Sequence, residues 1–190
     1  MCYDVKQEEK KIEKQVKIDL AAKKKPYIQQ GFDFYHVKGF AHPNLLVITS
    51  EEPEYLQRLK WGLIPHTTKD EAEAKILAGM CLNAVSETVF EKKSFTSIKT
   101  KRCLLPVNGF FETRWEGKKD NYPYFIYMKD EAPFYLGCVY DIWTNKTTGE
   151  VVNTFAILTT EANPLLAKIH NRKNPALREF LFHKSIPSDF

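Results

Sequence analysis

The spacing of apolar residues changes character once along this chain, near Pro26. Before it, Ile12, Val16 and Leu20 (with Ala21) recur at helical intervals among lysines and glutamates. That pattern predicts a charged helix over residues 4–24 with one packed stripe and otherwise solvated faces; direct DNA contact by its lysines is the minor alternative. After Pro26, short runs rich in Val, Ile, Phe and Tyr alternate with Gly, Pro and Asn. They predict strands at Leu45–Thr49, Gln57–Leu63, Arg102–Pro106 continuing to Phe111, Tyr124–Met128, Phe134–Tyr140 and Thr154–Leu158. Asp70–Ala78 reads as a helix. A second is expected from Thr160 or Glu161 to Lys168, with Pro164 confined to its first turn. Many strands with irregularly placed helices predict an α+β fold and argue against a doubly wound parallel sheet. No internal repeat or low-complexity linker interrupts the chain.

Composition narrows the class. A chain of 190 residues, 43% apolar and 13% aromatic, has enough material for one domain over residues 1–190 with a sizeable core. The net charge of +4 is compatible with an acidic partner such as nucleic acid without demanding one. The cysteines, Cys2, Cys81, Cys103 and Cys138, form no CxxC pair and no metal-like cluster with histidine, so no metal is expected. The first 25 residues are polar and Lys-rich, which argues against a signal peptide or a membrane span. A reducing cytoplasm without disulfides is the expected compartment.

Candidate chemistry begins at the second residue. Cys2 follows Met1, and its side chain is small enough for methionine aminopeptidase to expose it. An N-terminal cysteine carries an amine with a pKa of about 8 beside a thiol of about 8.5, so both are partly deprotonated at neutral pH. Such a 1,2-aminothiol can trap an aldehyde as an imine and close it to a thiazolidine, which no internal cysteine can do. Position alone leaves chance as the simpler explanation.

Four further segments put polar groups inside or beside apolar runs: Trp61–Pro65, Leu82–Thr88, Arg102–Glu112 and Ala167–Arg172. Glu112 follows apolar residues and two phenylalanines; beside apolar surface its pKa would rise and make it a proton shuttle, whereas at an exposed strand end it would be ordinary. His170 is open between a capping or surface group and a functional one. Asn83 reads as a turn or hydrogen-bonding residue. Trp61 reads as core or as a base-stacking platform.

Together with the Met-Cys start, these segments resemble the SRAP family, the SOS-response-associated peptidase or abasic-site-processing proteins. The matching residues are Cys2, Trp61–Pro65, Asn83-Ala84 with Glu87-Thr88-Val89, Arg102–Pro106 with Gly109–Glu112, and Ile169-His170, in the family's order and across nearly the whole chain. The resemblance implies a compact α+β domain built on an antiparallel, barrel-like sheet with flanking helices. It also implies binding of single-stranded DNA and crosslinking to abasic sites, with no cofactor and no obligate protein partner. Cys2 would supply amine and thiol, Glu112 would move protons, His170 would hydrogen-bond the sugar oxygen, and Asn83 would orient the Cys2 end. Trp61 would stack on bases, and Arg102 and Arg172 would contact phosphates. A bacterial, nucleoid-associated protein is implied, with removal of Met1 accounting for the peptidase label.

The chain departs from that pattern. Tyr3-Asp4 replaces the Gly-Arg after the first cysteine, and Val85 stands where the family has arginine. Thr113 stands for a tryptophan, with Trp115 two residues on, and the late motif runs His170-Asn171-Arg172-Lys173-Asn174-Pro175. The chain stops at Phe190 where similar proteins often continue, so C-terminal truncation is one expectation. Two other functions stay open: a cysteine peptidase using Cys2, His170 and Glu112 on other proteins, and a non-catalytic nucleic-acid-binding module.

Overall fold

The computed structural model describes residues 3–21, 23–24, 33–91, 95, 98–116, 120–162, 166–168 and 174–175. In chain order the strands are β1 (Asp4–Gln7), β2 (Lys23–Lys24), β3 (Phe34–Lys38), β4 (Asn44–Thr49), β5 (Tyr55–Trp61) and β6 (Asn83–Val85), then β7 (Arg102–Val107), β8 (Gly109–Glu116), β9 (Asp120–Ile126), β10 (Phe134–Thr144), β11 (Val151–Thr160) and β12 (Asn174–Pro175). Among the described residues there are two α-helices, α1 (Glu9–Leu20) and α2 (Glu71–Met80). No helix among the described residues is long and apolar enough to cross a membrane.

A run of antiparallel pairs, β11–β10–β7–β4–β5, returns to β11 through a parallel contact at Thr154↔Lys60 and Phe155↔Trp61. This closes a five-stranded barrel, so the predicted α+β fold with a barrel-like sheet is the observed one. Its interior is filled by residues such as Leu45, Val47, Leu59, Leu105, Leu136 and Phe155. The other face of β4 is also buried, because Ile12 and Val16 of α1 pack on Leu46, Ile48 and Leu56. A strand covered on both faces reads as a continuous apolar run, as Leu45–Ile48 does. The second sheet runs β3–β1–β8–β9 and turns Val5, Val37, Phe110 and Ile126 toward the same core.

Four sequence expectations about the elements change. Residues 4–24 are not one helix: Asp4–Gln7 is a central strand, and only Glu9–Leu20 is helical. Val5 and Gln7 are buried, a two-residue alternation that the charged context hides. The Gln7 amide explains why a polar residue goes inside: Nε2 donates to Leu46 O (3.0 Å) and Pro106 O (2.8 Å), and Oε1 accepts from Leu46 N (2.9 Å). It thereby ties β1 to both β4 and β7. Gln7→Leu should cost about 2 kcal/mol or more, because buried backbone groups lose their partners; urea unfolding would report it.

The run from Arg102 to Phe111 breaks at Asn108 into β7 and β8, which lie in different sheets. The predicted helix after Thr160 is replaced among the described residues by strand up to Thr160 and a short 3-10 turn at Leu166–Lys168. The strand predicted to reach Leu63 stops at Trp61, because Gly62 has φ of 118°. A side chain there would be strained and would meet His42 Nδ1 at 2.6 Å and Ala78 O at 2.7 Å.

Candidate active site

Glu112 lies on β8, and β1 runs antiparallel beside it with Asp4 opposite Phe111 and Val5 opposite Phe110. The strand that leads back to the chain's start is therefore held next to this carboxylate. Phe110 and Glu112 share a face, and both are buried, Glu112 to 5% exposure. Burial raises the Glu112 carboxyl above its ordinary pKa, and the negative charge of Asp4 adds to this. The positive charge of the amino terminus and a hydrogen bond from the Thr113 backbone act the other way, and burial prevails. Tyr3 feels the same neighbour: burial, then the Glu112 charge, push its phenol pKa up.

A chain of contacts leads from this carboxylate to Asn83. Tyr3 O accepts from Gly39 N (2.7 Å), and the Tyr3 ring packs 5.1 Å from that of Phe40, which is 63% exposed. Gly39 lies flat against the Trp61 indole, where a methyl would sit 3.1 Å from the ring. Trp61 Nε1 donates to Leu82 O (2.9 Å), immediately before Asn83. Asn83 opens β6, paired in parallel with Ile157 of β11. Neither Oδ1 nor Nδ2 of its buried amide has a hydrogen-bond partner among the described residues. Leaving such a group unsatisfied costs about 1–3 kcal/mol, so a partner beyond the described residues is expected for it.

Trp61 itself requires a correction. It is 0% exposed, stacks on Phe155 with centroids 6.2 Å apart, and spends its only donor on Leu82. A ring without free faces cannot stack on a base, so Trp61 is core. The segment after it is structural as well. Gly62 N reaches Phe155 O, Leu63 N reaches Cys81 O, Ile64 N reaches Thr154 Oγ1, and His66 N reaches Asp141 Oδ2. Asp141 is wholly buried and also accepts from His66 Nδ1 (2.8 Å), Lys101 Nζ (2.8 Å) and Ile142 N (2.9 Å). These donors hold its pKa below the ordinary range against the opposing effect of burial.

Arg102 opens β7, across the Asn108 break from Glu112. It is exposed beside an apolar pocket formed with Leu20, Ile48, Pro53 and Leu104, and no described contact joins it to Glu112 or Asn83. Cys2, His170 and Arg172 lie outside the described residues. Among the described residues no group of three His, Cys, Asp or Glu side chains could hold a metal. In the sequence Tyr3 stands out only as a departure from the family pattern, and Phe40 only by its aromatic character before His42.

The barrel with its second four-stranded sheet recurs in solved structures. An X-ray structure of a protein from Bacteroides thetaiotaomicron matches with a TM-score of 0.82 at 38% identity, over 92% of this chain and 76% of that one. One from Bordetella bronchiseptica, at 22% identity, shares the fold with a TM-score of 0.72, over 92% of this chain and 81% of that one. The model of the SOS response associated peptidase (SRAP) family matches residues 1–184, and the chain belongs to that family. Relatives include abasic site processing protein YoqW of Bacillus subtilis, 30% identical over 85% of this chain and 77% of its own length. Abasic site processing protein HMCES of Pongo abelii is 27% identical over 60% of this chain and 40% of its own length.

Proposed function

We propose that this protein captures abasic sites in single-stranded DNA through Cys2, once Met1 has been removed. The observation that carries this reading is the buried Glu112, with its raised pKa, set beside the strand that leads to the amino terminus. The relatives named as abasic site processing proteins support it.

The chemistry balances without a cofactor. The amine of Cys2 adds to the aldehyde of the ring-opened sugar, and loss of water leaves an imine. The thiol then adds to the imine carbon, its proton passes to nitrogen, and a thiazolidine closes. Glu112 takes and returns protons in these steps, since a carboxyl with a raised pKa serves as both acid and base nearer neutrality. The Asn83 amide orients the Cys2 end, His170 bonds the sugar oxygen, and Arg102 and Arg172 contact phosphates. Met1 must leave first, because its peptide bond ties up the Cys2 amine; self-directed removal is the peptidase activity in this reading. The crosslink shields the lesion from strand cleavage during DNA repair, as part of the damage response. The place of action is the cytoplasm, at the nucleoid.

The test uses single-stranded DNA with one abasic site and a denaturing gel. A shifted band lost in Cys2→Ala is the expected result. If mass spectrometry confirms Cys2 at the N-terminus and no band forms, the proposal fails. Cleavage of an unrelated peptide, lost in both Cys2→Ala and His170→Ala, would replace it with a cysteine peptidase.

A further inference from the structure

With Trp61 buried, single-stranded DNA needs another surface on which to stack. The outward face of the β3–β1–β8–β9 sheet carries a continuous series of rings. His36 and Phe111 have centroids 4.4 Å apart, Phe111 and Phe125 4.7 Å, and Phe125 and Tyr127 5.3 Å. Their neighbours in sequence, Val37, Phe110 and Ile126, point into the core, so the strand alternation turns these rings away from it. Lys6 Nζ lies 5.3 Å from the Tyr35 ring centre and 5.9 Å from that of Phe125, and Tyr35 is 63% exposed.

The backbone is shaped for this array. A methyl at Gly109 would collide with the Phe125 ring and would lie 2.7 Å from Ile126 O. Only glycine lets that ring lie across β8.

We propose that this sheet face is a base-stacking platform for single-stranded DNA, with Phe111, Phe125 and Tyr35 as stacking rings and Lys6 as a phosphate contact. It rests on the preceding functional reading for its choice of nucleic acid. Charge supports that choice. Lys6 and the exposed Lys38 share the face, Lys6 also pairing with Glu8 at 3.2 Å. The Asp4 carboxylate on the same face is turned to His36 Nε2 at 3.4 Å. Rings interleaved with cations suit a strand of stacked bases and phosphates, as on other single-strand-binding sheets. Phe111 immediately precedes Glu112 on β8, so the strand alternation sets the ring and the carboxylate on opposite faces of the sheet.

The probe is a fluorescein-labelled single-stranded oligothymidine without an abasic site, followed by fluorescence anisotropy. Phe111→Ala and Phe125→Ala should each weaken binding about tenfold, and Phe125→Trp should retain it. Tyr35→Ala and Lys6→Gln, at surface positions, should each weaken it severalfold and decide the matter if the phenylalanine variants unfold. Affinities within about twofold of the parent for all folded variants would overturn the platform, given the size of a stacking contact. The same variants on an abasic oligonucleotide separate the two proposals. Ring-dependent binding without any crosslink sinks only the capture reading, and crosslinking with unaltered affinity in every variant sinks only the platform.

Discussion

Replacing Glu112 by glutamine should slow capture of the abasic aldehyde by about 10²- to 10⁴-fold, the usual contribution of a positioned general acid–base. Affinity for undamaged single-stranded DNA should stay within about twofold, since the group moves protons and holds no phosphate. The pH dependence gives a second reading. Burial raises this carboxyl above its ordinary 4.5, so the parent's rate should change across a pH range above that value, and the limb should vanish in Glu112→Gln. Stability must follow with a definite sign. Below the ordinary pKa the group is protonated whether folded or unfolded. As pH rises through the folded value, the folded protein must ionise a buried group, and stability is lost. Glu112→Gln should escape that loss. Equal loss of capture and of DNA binding would make Glu112 structural.

Asp141→Ala should be the most damaging stability variant, at about 3 kcal/mol, because it removes a buried carboxylate that accepts from two backbone N–H groups and from the partly exposed Lys101 and His66. Lys101, His66 and the Ile142 backbone all lose their acceptor. Asp141→Asn keeps the shape and one acceptor but turns an amide N–H toward donors, so it should fall between the two. The parent's Asp141 contribution is complete above the ordinary aspartate value of 3.8 and is lost as pH falls through the depressed folded value. Denaturant midpoints measured from neutral to acid pH should converge for parent and variant. A constant gap down to the lowest pH would show that the carboxylate charge contributes nothing.

Much of this was legible in the chain, for local reasons. Ile12 and Val16 reveal α1 because a helix repeats within one segment. Leu45–Ile48 reveals β4 because it is covered on both sides. Glu112 stood out because two phenylalanines precede it. Asp4–Gln7 did not read as a strand, because the signal that makes Gln7 buried lies in carbonyls of β4 and β7. Trp61 was open between core and platform, and its burial depends on Gly39 and Phe155, both remote in sequence. The Asp141 cluster draws on three separate segments. The aromatic array exists only through cross-strand register, such as Phe111 opposite Phe125, which no single stretch encodes.

β1 is an inner strand whose second neighbour, β8, is made about a hundred residues later. At a synthesis rate of ~5–20 residues per second, one edge of β1 waits on the order of 5–20 s on the ribosome before it can be covered. In the proposed self-directed reading, removal of Met1 waits on the same event, because Glu112 comes beside β1 only once β8 has been made.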